Sequence, residues 1–253
     1  MELALHADAL PPATPIEESI RVAALCGFPW LLFALDALDA FFAHPDFDIR
    51  DLRRLFLRTQ PAAAGTLALP DGDPAHHALV ERHCRAVRRV GAPVLVLRLA
   101  APDERVAALA DIAARWGVVL ALAPDEAGGA PTTAALRALV ERLDHPALGL
   151  YLDTRALWRA GEHFLPGDAA RTVLLAVGDL DGAGRDVLPG IGVIPLAAQL
   201  APLREGGYNS LALLAGAGAA SAEPLQRARE GRAALAAVLR AAGWEIAEWR
   251  VDE

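Results

Sequence analysis

Polar and charged side chains stand at the ends of short apolar runs in this chain, where they could carry out chemistry. Asp153 ends one run, and a carboxylate there can transfer a proton or cap the helix that follows. His6 ends another run and can contact a ligand hydroxyl. Arg98 and Arg155 supply guanidinium groups, which bind carboxylates and phosphates. The candidates at the run ends are His6, Asp8, Arg98, Asp125, Glu126, Asp153, Arg155, Asp179, Asp181 and Arg185.

Each candidate also has a structural interpretation. Asp153 can cap a helix or pair with an arginine, and His6 can be a hydrogen-bonded residue of the sheet interior. Arg98 on a buried strand is costly unless it meets an anion, so we expect an internal ion pair there. The Asp- and Gly-rich segment 179–186 has the composition of an ordinary turn. The predicted ligand-contacting set is His6, Arg98, Arg155, Asp179 and Arg185, with Asp153 as the candidate catalytic group.

The elements that must position these residues are short β-rich runs that alternate with longer segments of helical periodicity. This alternation is typical of βα units around a parallel sheet, and eight runs are what a closed (β/α)8 barrel needs. The runs are Glu2–His6, Trp30–Leu35, Gly65–Leu69, Pro93–Leu99, Val118–Ala123, Leu148–Asp153, Thr172–Val177 and Leu211–Leu214. We therefore predict an α/β fold, a single (β/α)8 TIM barrel, with the candidates gathered at the mouth where the strands end.

Capping signals mark several of the intervening helices. Thr14–Glu17 offers an N-cap, a proline at the first helical position and an acid in the first turn. Pro102–Glu104 opens another helix, and Thr132 or Thr133 can cap the next. The segment 221–243 has the clearest apolar stripe.

The length of 253 residues suits one TIM-barrel domain over 1–253, since no linker or shift in composition divides the chain. Apolar residues make up 54% and charged residues 22%, which is ample for a large core. Residues 244–253 form a C-terminal extension that we expect to pack on the barrel or to contact another copy in a homo-oligomer. No apolar run is long enough to span a bilayer and no signal peptide is evident, so a soluble, cytoplasmic protein without membrane partners is expected.

The charge balance excludes some partners and chemistries. The net charge is −8, and nucleic-acid-binding domains usually gather basic residues on one face, so no nucleic-acid partner is expected. The chain contains no lysine, which excludes Schiff-base chemistry on a lysine. Cys26 and Cys84 lie in apolar helical patterns and are predicted to be buried thiols.

Four motifs together resemble one known family. The segment Leu180–Gly207 reads LDGAGRDVLPGIGVIPLAAQLAPLREGG and runs on into Tyr208. It resembles the seventh βα unit of the sugar phosphate isomerase/epimerase family, the xylose isomerase-like TIM barrels that include the endonuclease IV type. Gly91–Pro93 before an apolar strand, Gly149–Thr154 and Gly207–Asn209 resemble further motifs of that family.

The resemblance implies a divalent metal such as Mn, Mg or Zn, held by carboxylates and histidines, beside which a carboxylate shuttles a proton between neighbouring carbons. Most of the corresponding positions carry other residues here. Only Asp153 of the implied primary ligands is kept, while the Gly-His that should follow Thr154 is Arg155–Ala156. The other implied ligands fall on Arg98, Ala123, Ala176 and either Leu214 or Ala215.

We therefore expect the inherited site to hold no metal tightly, since a hard cation with one carboxylate keeps most of its water. A guanidinium is predicted to replace the ion. The chain is interpreted as a sugar phosphate isomerase/epimerase-like protein whose metal-dependent activity is lost or altered, with a sugar or sugar phosphate as ligand. Two alternatives stay open: a non-catalytic barrel that binds a small polar or anionic ligand or a protein partner, and metal-free catalysis through Asp153 and an arginine.

Overall fold

Eight parallel strands close into a barrel in the computed structural model of the chain. The structure describes residues 1–11, 14–43, 48–56, 59–69, 76–99, 105–124, 132–216 and 223–247. The barrel strands follow one another in chain order, and the last pairs with the first. They are β1 (Glu2–His6), β2 (Trp30–Phe33), β3 (Gln60–Leu69), β4 (Val94–Leu99), β5 (Val119–Pro124), β6 (Leu148–Asp153), β7 (Thr172–Val177) and, after a small hairpin, β10 (Leu211–Leu214).

Helices cover the outside of the barrel. They are α1 (Ile16–Leu25), α2 (Leu35–Ala43), α3 (Ile49–Leu55), α4 (His76–Val90), α5 (Val106–Arg115), α6 (Thr133–Leu143), α7 (Thr154–Ala160), α8 (Leu196–Glu205) and α9 (Pro224–Ala241). Short 3-10 turns occupy Ala7–Ala9 and Pro166–Ala170. Two antiparallel strands, β8 (Asp179–Leu180) and β9 (Asp186–Val187), form a hairpin directly after β7.

Strand alternation divides the buried apolar side chains into two clusters. The larger one fills the layer between the sheet and the helices, with members such as Leu5, Leu97 and Leu152. The smaller one lies inside the barrel and consists of Ala4, Leu32, Val94, Val96, Ala121, Ala123, Tyr151, Leu174, Ala176, Leu213 and Ala215. Many of its members are alanine, and Tyr151 is the bulkiest among them. The barrel interior is therefore a packed core below the mouth.

The predicted TIM barrel is confirmed, and each of the eight predicted runs is a barrel strand. Leu35 was predicted to end a strand, but it begins α2. The predicted N-cap at Thr14 is wrong. Pro15 occupies that position without a side-chain hydrogen bond, and the Thr14 hydroxyl donates instead to the Pro11 carbonyl at 2.6 Å. Thr132 does cap α6.

The C-terminal segment packs against the start of the chain as far as residue 247. Trp244 is buried and its indole N–H donates to the Tyr208 carbonyl at 2.9 Å. The backbone N–H of Ala247 donates to the Met1 carbonyl. Residues 248–253 lie outside the described residues, as do Pro102–Glu104 and the first residues of the segment predicted as the last helix.

Two further expectations concern the whole chain. Cys26 and Cys84 are free and buried, as predicted. Within the described ranges, every helix is too short or too polar to cross a bilayer.

Candidate functional site

Three of the predicted site residues face the inside of the barrel at its mouth. His6, Arg98 and Asp153 each stand two positions after an interior residue of the same strand, namely Ala4, Val96 and Tyr151. Because strand side chains alternate, each therefore points inward, one layer above the apolar interior. His6 and Asp153 are buried, and Arg98 is partly buried.

Asp153 is both a helix cap and an ion-pair partner. Its Oδ1 accepts the backbone N–H of Arg155 at 2.8 Å, which caps α7. The same carboxylate receives two hydrogen bonds from the Arg155 guanidinium, from Nε to Oδ1 at 3.1 Å and from Nη2 to Oδ2 at 2.7 Å. This fork geometry is the strong form of an arginine–carboxylate pair. The predicted pairing of Asp153 with an arginine is confirmed.

Arg155 is the centre of a cluster of carboxylates. Besides Asp153, its Nη2 lies 3.3 Å from Asp8 Oδ2 and its Nη1 lies 3.1 Å from Asp186 Oδ2. The Arg155 side chain is only 8% exposed. Burial alone would lower the pKa of the guanidinium, but Asp153 and then Asp8 raise that pKa above its ordinary value. Arg155 is therefore a buried, fixed positive charge.

The Arg155 side chain occupies space that is open because two neighbouring residues are glycines and have no Cβ. A Cβ added at Gly178, just after β7, would lie 2.7 Å from both Cδ and Nε of Arg155. A Cβ added at Gly216, just after β10, would overlap Nη1 of Arg155. Thr154 helps to hold this part of the mouth, since its hydroxyl donates to the Gly178 carbonyl at 2.7 Å. The guanidinium thus lies against the ends of β7 and β10 as well as beside β6.

Asp8 connects the cluster to the first strand. Its Oδ1 lies 2.8 Å from His6 Nδ1 and accepts the backbone N–H of Gly216 at 3.2 Å. Burial alone would raise the pKa of Asp8, but His6, Arg155 and the Gly216 N–H together hold that pKa below its usual range. Because 39% of the Asp8 side chain is exposed, solvent weakens these interactions relative to those of Asp153.

Tyr151 lies beneath this charged layer. Its ring is in edge contact with the His6 ring, with centroids 6.2 Å apart. Burial raises the pKa of the Tyr151 hydroxyl well above its usual value, and the negative charges of Asp153 and Asp8 add to that shift. The hydroxyl is therefore neutral at physiological pH.

Alanines stand on neighbouring strands where ligands were implied by the resemblance. Ala123, Ala176 and Ala215 all belong to the interior cluster, so their methyl groups face the barrel axis. Ala176 lies directly beside Asp153 in the pairing of β6 with β7. Across the part of the chain that the structure describes, no three His, Cys, Asp or Glu side chains are arranged to hold a metal ion.

Arg98 is the second cation of the mouth. Its positive charge acts on Tyr151, where it opposes the rise of the hydroxyl pKa. Its Nε atom is buried and has no hydrogen-bond partner among the described residues. No carboxylate of the described residues lies within 4.0 Å of the Arg98 guanidinium either, so the ion pair expected there is not found in that part of the chain. Asp125 and Glu126, the candidates that follow β5, lie outside the described residues.

Asp179 organises the loop that follows β7. It is completely buried, and its two carboxylate oxygens accept four backbone N–H groups at 2.8–3.1 Å, from Leu180, Gly190, Gly192 and Ile194. A Cβ at Gly192 would overlap the Asp179 carboxylate. The Pro-Gly-x-Gly motif therefore wraps a buried aspartate, whose oxygens are occupied by the loop itself.

Arg185 stands at the exposed tip of the hairpin rather than in the mouth. Its side chain is 80% exposed and pairs with Asp181 at 2.7 Å. Its neighbour Asp186 is the residue that reaches Arg155. The local sequence pattern indicates a turn at Asp186, because nothing in that pattern shows that β9 brings this residue back to α7. Ligand binding by Asp179 and Arg185 stays a prediction.

Comparison with known proteins agrees with this architecture. A family model described as xylose isomerase-like TIM barrel matches residues 17–238. A search of curated proteins found no match.

Several solved structures share the fold. The crystal structure described as IOLI protein with a binding zinc atom superposes with a TM-score of 0.82 at 16% identity, covering 94% of this chain and 98% of that one. A xylose isomerase domain protein from Alicyclobacillus acidocaldarius gives 0.76 at 22% identity, over 96% and 100%. The D-allulose 3-epimerase from Methylomonas sp. in complex with D-allulose gives 0.74 at 17% identity, over 92% and 95%.

Proposed function

The chain belongs to the xylose isomerase-like TIM-barrel family, and from this premise we propose that its mouth binds a small polar ligand without the metal-dependent isomerase or epimerase reaction. The observation that carries the proposal is the buried Arg155 guanidinium paired with Asp153. In this proposal the Arg155 guanidinium supplies the positive charge that a divalent metal ion supplies in metal-bound relatives.

The residues at the mouth do not fit a divalent cation. Both oxygens of Asp153 already accept hydrogen bonds from Arg155. The interior positions at Ala123, Ala176 and Ala215 end in methyl groups, which donate no electron pair. Mn²⁺ and Mg²⁺ need several oxygen or nitrogen ligands at once, and the three carboxylates described at the mouth, those of Asp8, Asp153 and Asp186, are each paired with Arg155 instead. No reaction step is therefore assigned to a metal in this chain.

Other side chains of the mouth suit recognition of a hydroxylated or anionic ligand. His6, Tyr151 and Arg98 contribute polar or charged atoms to the mouth, and Arg98 Nε has no hydrogen-bond partner among the described residues. Polar atoms that converge above an apolar floor are typical of sites that orient small polar molecules. The Methylomonas neighbour was solved with D-allulose, which makes a sugar the first ligand to test.

Proton exchange tests the proposal without requiring a known product. The chain is incubated with D-allulose in D₂O, once with Mn²⁺ and once with a chelator, and deuterium incorporation is followed by NMR. We expect the rate to equal the blank in both conditions, because the carboxylates that the structure describes at the mouth, those of Asp8, Asp153 and Asp186, are paired with Arg155 rather than free to hold a metal or to remove a proton. The Methylomonas epimerase serves as the active control. Exchange that appears only with Mn²⁺ would contradict the proposal.

Chelator-resistant exchange would point to a different function. If Asp153 moves a proton with an arginine as the only cation, exchange persists in chelator and disappears in Asp153→Asn. The double hydrogen bond from Arg155 to Asp153 argues against this, because both carboxylate oxygens are already engaged by the guanidinium and do not face a ligand freely.

A further inference from the structure

A groove lined by arginines lies at the end of the barrel opposite the mouth. Arg53 comes from the last turn of α3, and Arg88 and Arg89 from the last turn of α4. Helices of a βα barrel run antiparallel to its strands, so their C-terminal ends lie far from the strand ends that form the mouth. The cavity has a volume of about 700 Å³ and is lined by Arg53, Arg85, Arg88, Arg89, Gly91 and Trp116.

The charge of this groove contrasts with that of the chain. The chain carries a net charge of −8, yet four guanidinium groups line one cavity. Of these arginines, Arg85 pairs with Glu81 on the same helix, with Nη2 3.8 Å from Oε1. Within the described residues, no carboxylate lies within 4.0 Å of Arg53, Arg88 or Arg89. The positive charge of the groove is therefore mostly uncompensated by that part of the chain.

Two of the arginines are held in place by the walls of the groove. Arg53 Nε donates to the backbone carbonyl of Arg89 at 3.0 Å, which joins α3 to the end of α4. The Arg85 guanidinium lies 5.1 Å from the centre of the Trp116 ring, a cation–π contact. Groups fixed in this way lose less entropy when a ligand binds.

Helix dipoles account for part of this arrangement. A cation in the last turn of a helix is stabilised by the negative end of the helix dipole, which explains the positions of Arg53, Arg88 and Arg89 but not that of Arg85. The dipole does not explain why the ends of α3 and α4 and the residue after α5 converge on one cavity. Like charges gathered there repel one another, and a multiply charged anion would relieve that repulsion.

We propose that this groove binds a small anion with two or more phosphoryl charges, at a site separate from the mouth. Guanidinium groups form paired hydrogen bonds with phosphate oxygens, and several together match a multiply charged group. The cavity volume lies in the range of small-molecule sites, so a phosphorylated metabolite or a short polyphosphate is the expected class of ligand. The site does not depend on the function proposed for the mouth.

Calorimetric titration with inorganic triphosphate tests the site. The wild type is compared with Arg88→Gln/Arg89→Gln, at fixed ionic strength with chloride as the balancing salt. The control is Arg54→Gln/Arg82→Gln, which removes the same amount of charge from exposed residues of α3 and α4 that lie outside the groove. We expect saturable binding to the wild type and the control, weakened by about tenfold or more in the groove variant.

Urea unfolding of each variant verifies that it is folded before the titration. Equal affinity for triphosphate in the groove and control variants would overturn the proposal, because it would assign binding to net charge alone. Absence of saturable binding to the wild type at physiological ionic strength would overturn it as well.

Discussion

Arg155→Ala is expected to lower the free energy of unfolding by about 3 kcal/mol, the lower end of the cost of removing one partner of a buried ion pair. The Asp153 carboxylate that remains is only 8% exposed and would lose both guanidinium hydrogen bonds. Asp8 and Asp186 are more exposed, so their losses add little. Urea unfolding followed by circular dichroism measures the change.

Arg159→Ala is the matched control, since Arg159 lies one turn further along α7 and its side chain is 42% exposed. It contacts Asp186 at 3.4 Å, and a change below about 1 kcal/mol is expected for such a pair. If Arg155→Ala were as mild as Arg159→Ala, the carboxylates would not depend on the guanidinium, and the interpretation of Arg155 as a structural cation would be wrong.

Gly216→Ala is expected to destabilise the fold by about 2 kcal/mol or more, through two separable causes. Its φ of +53° is in the left-handed region, which costs a residue with a Cβ about 1 kcal/mol. The added Cβ would also overlap the Arg155 guanidinium and lie 2.9 Å from Asp186 Oδ2. All these neighbours are side-chain atoms, so removal of Arg155 should relieve most of the overlap.

A double-mutant cycle separates the two causes. In the Arg155→Ala background, Gly216→Ala should cost only the backbone strain, which leaves a coupling of about 1–3 kcal/mol between the two positions. Gly161→Ala is the control for strain alone, since Gly161 has a φ of +66° and nothing within 4 Å of an added Cβ. Zero coupling, or a Gly216→Ala effect no larger than that of Gly161→Ala, would show that Arg155 does not need the space at Gly216.

The barrel was predictable because parallel barrel strands are covered on both faces and are therefore apolar along most of their length. A run such as Val94–Leu99 must be apolar nearly throughout, and that continuity is visible in the sequence without knowledge of its neighbours. The hairpin of β8 and β9 was not predictable in this way. Its strands have two residues each, too few for any periodicity, and its turn is rich in Asp and Gly.

The site was predictable only in part. Asp153 stands at a strand end and two positions before Arg155, so its cap and its ion pair follow from the local pattern. Asp186 is 31 positions from Arg155 and reaches it through the hairpin, a long-range contact that no local signal encodes. Nothing in the sequence sets Gly178 and Gly216 apart from the other glycines, because the need for a residue without a Cβ at these positions follows only from the path of the Arg155 side chain.

Titration of Mn²⁺ into the chelator-treated chain, followed by calorimetry, tests most directly whether Arg155 stands in for the metal. The wild type should show no saturable binding up to about 1 mM, because Asp153 is held by Arg155 and the neighbouring interior positions carry alanine. Arg155→Ala should gain weak binding, since Asp8, Asp153 and Asp186 lose the cation they share. One Mn²⁺ bound per wild-type chain with micromolar affinity would contradict the account.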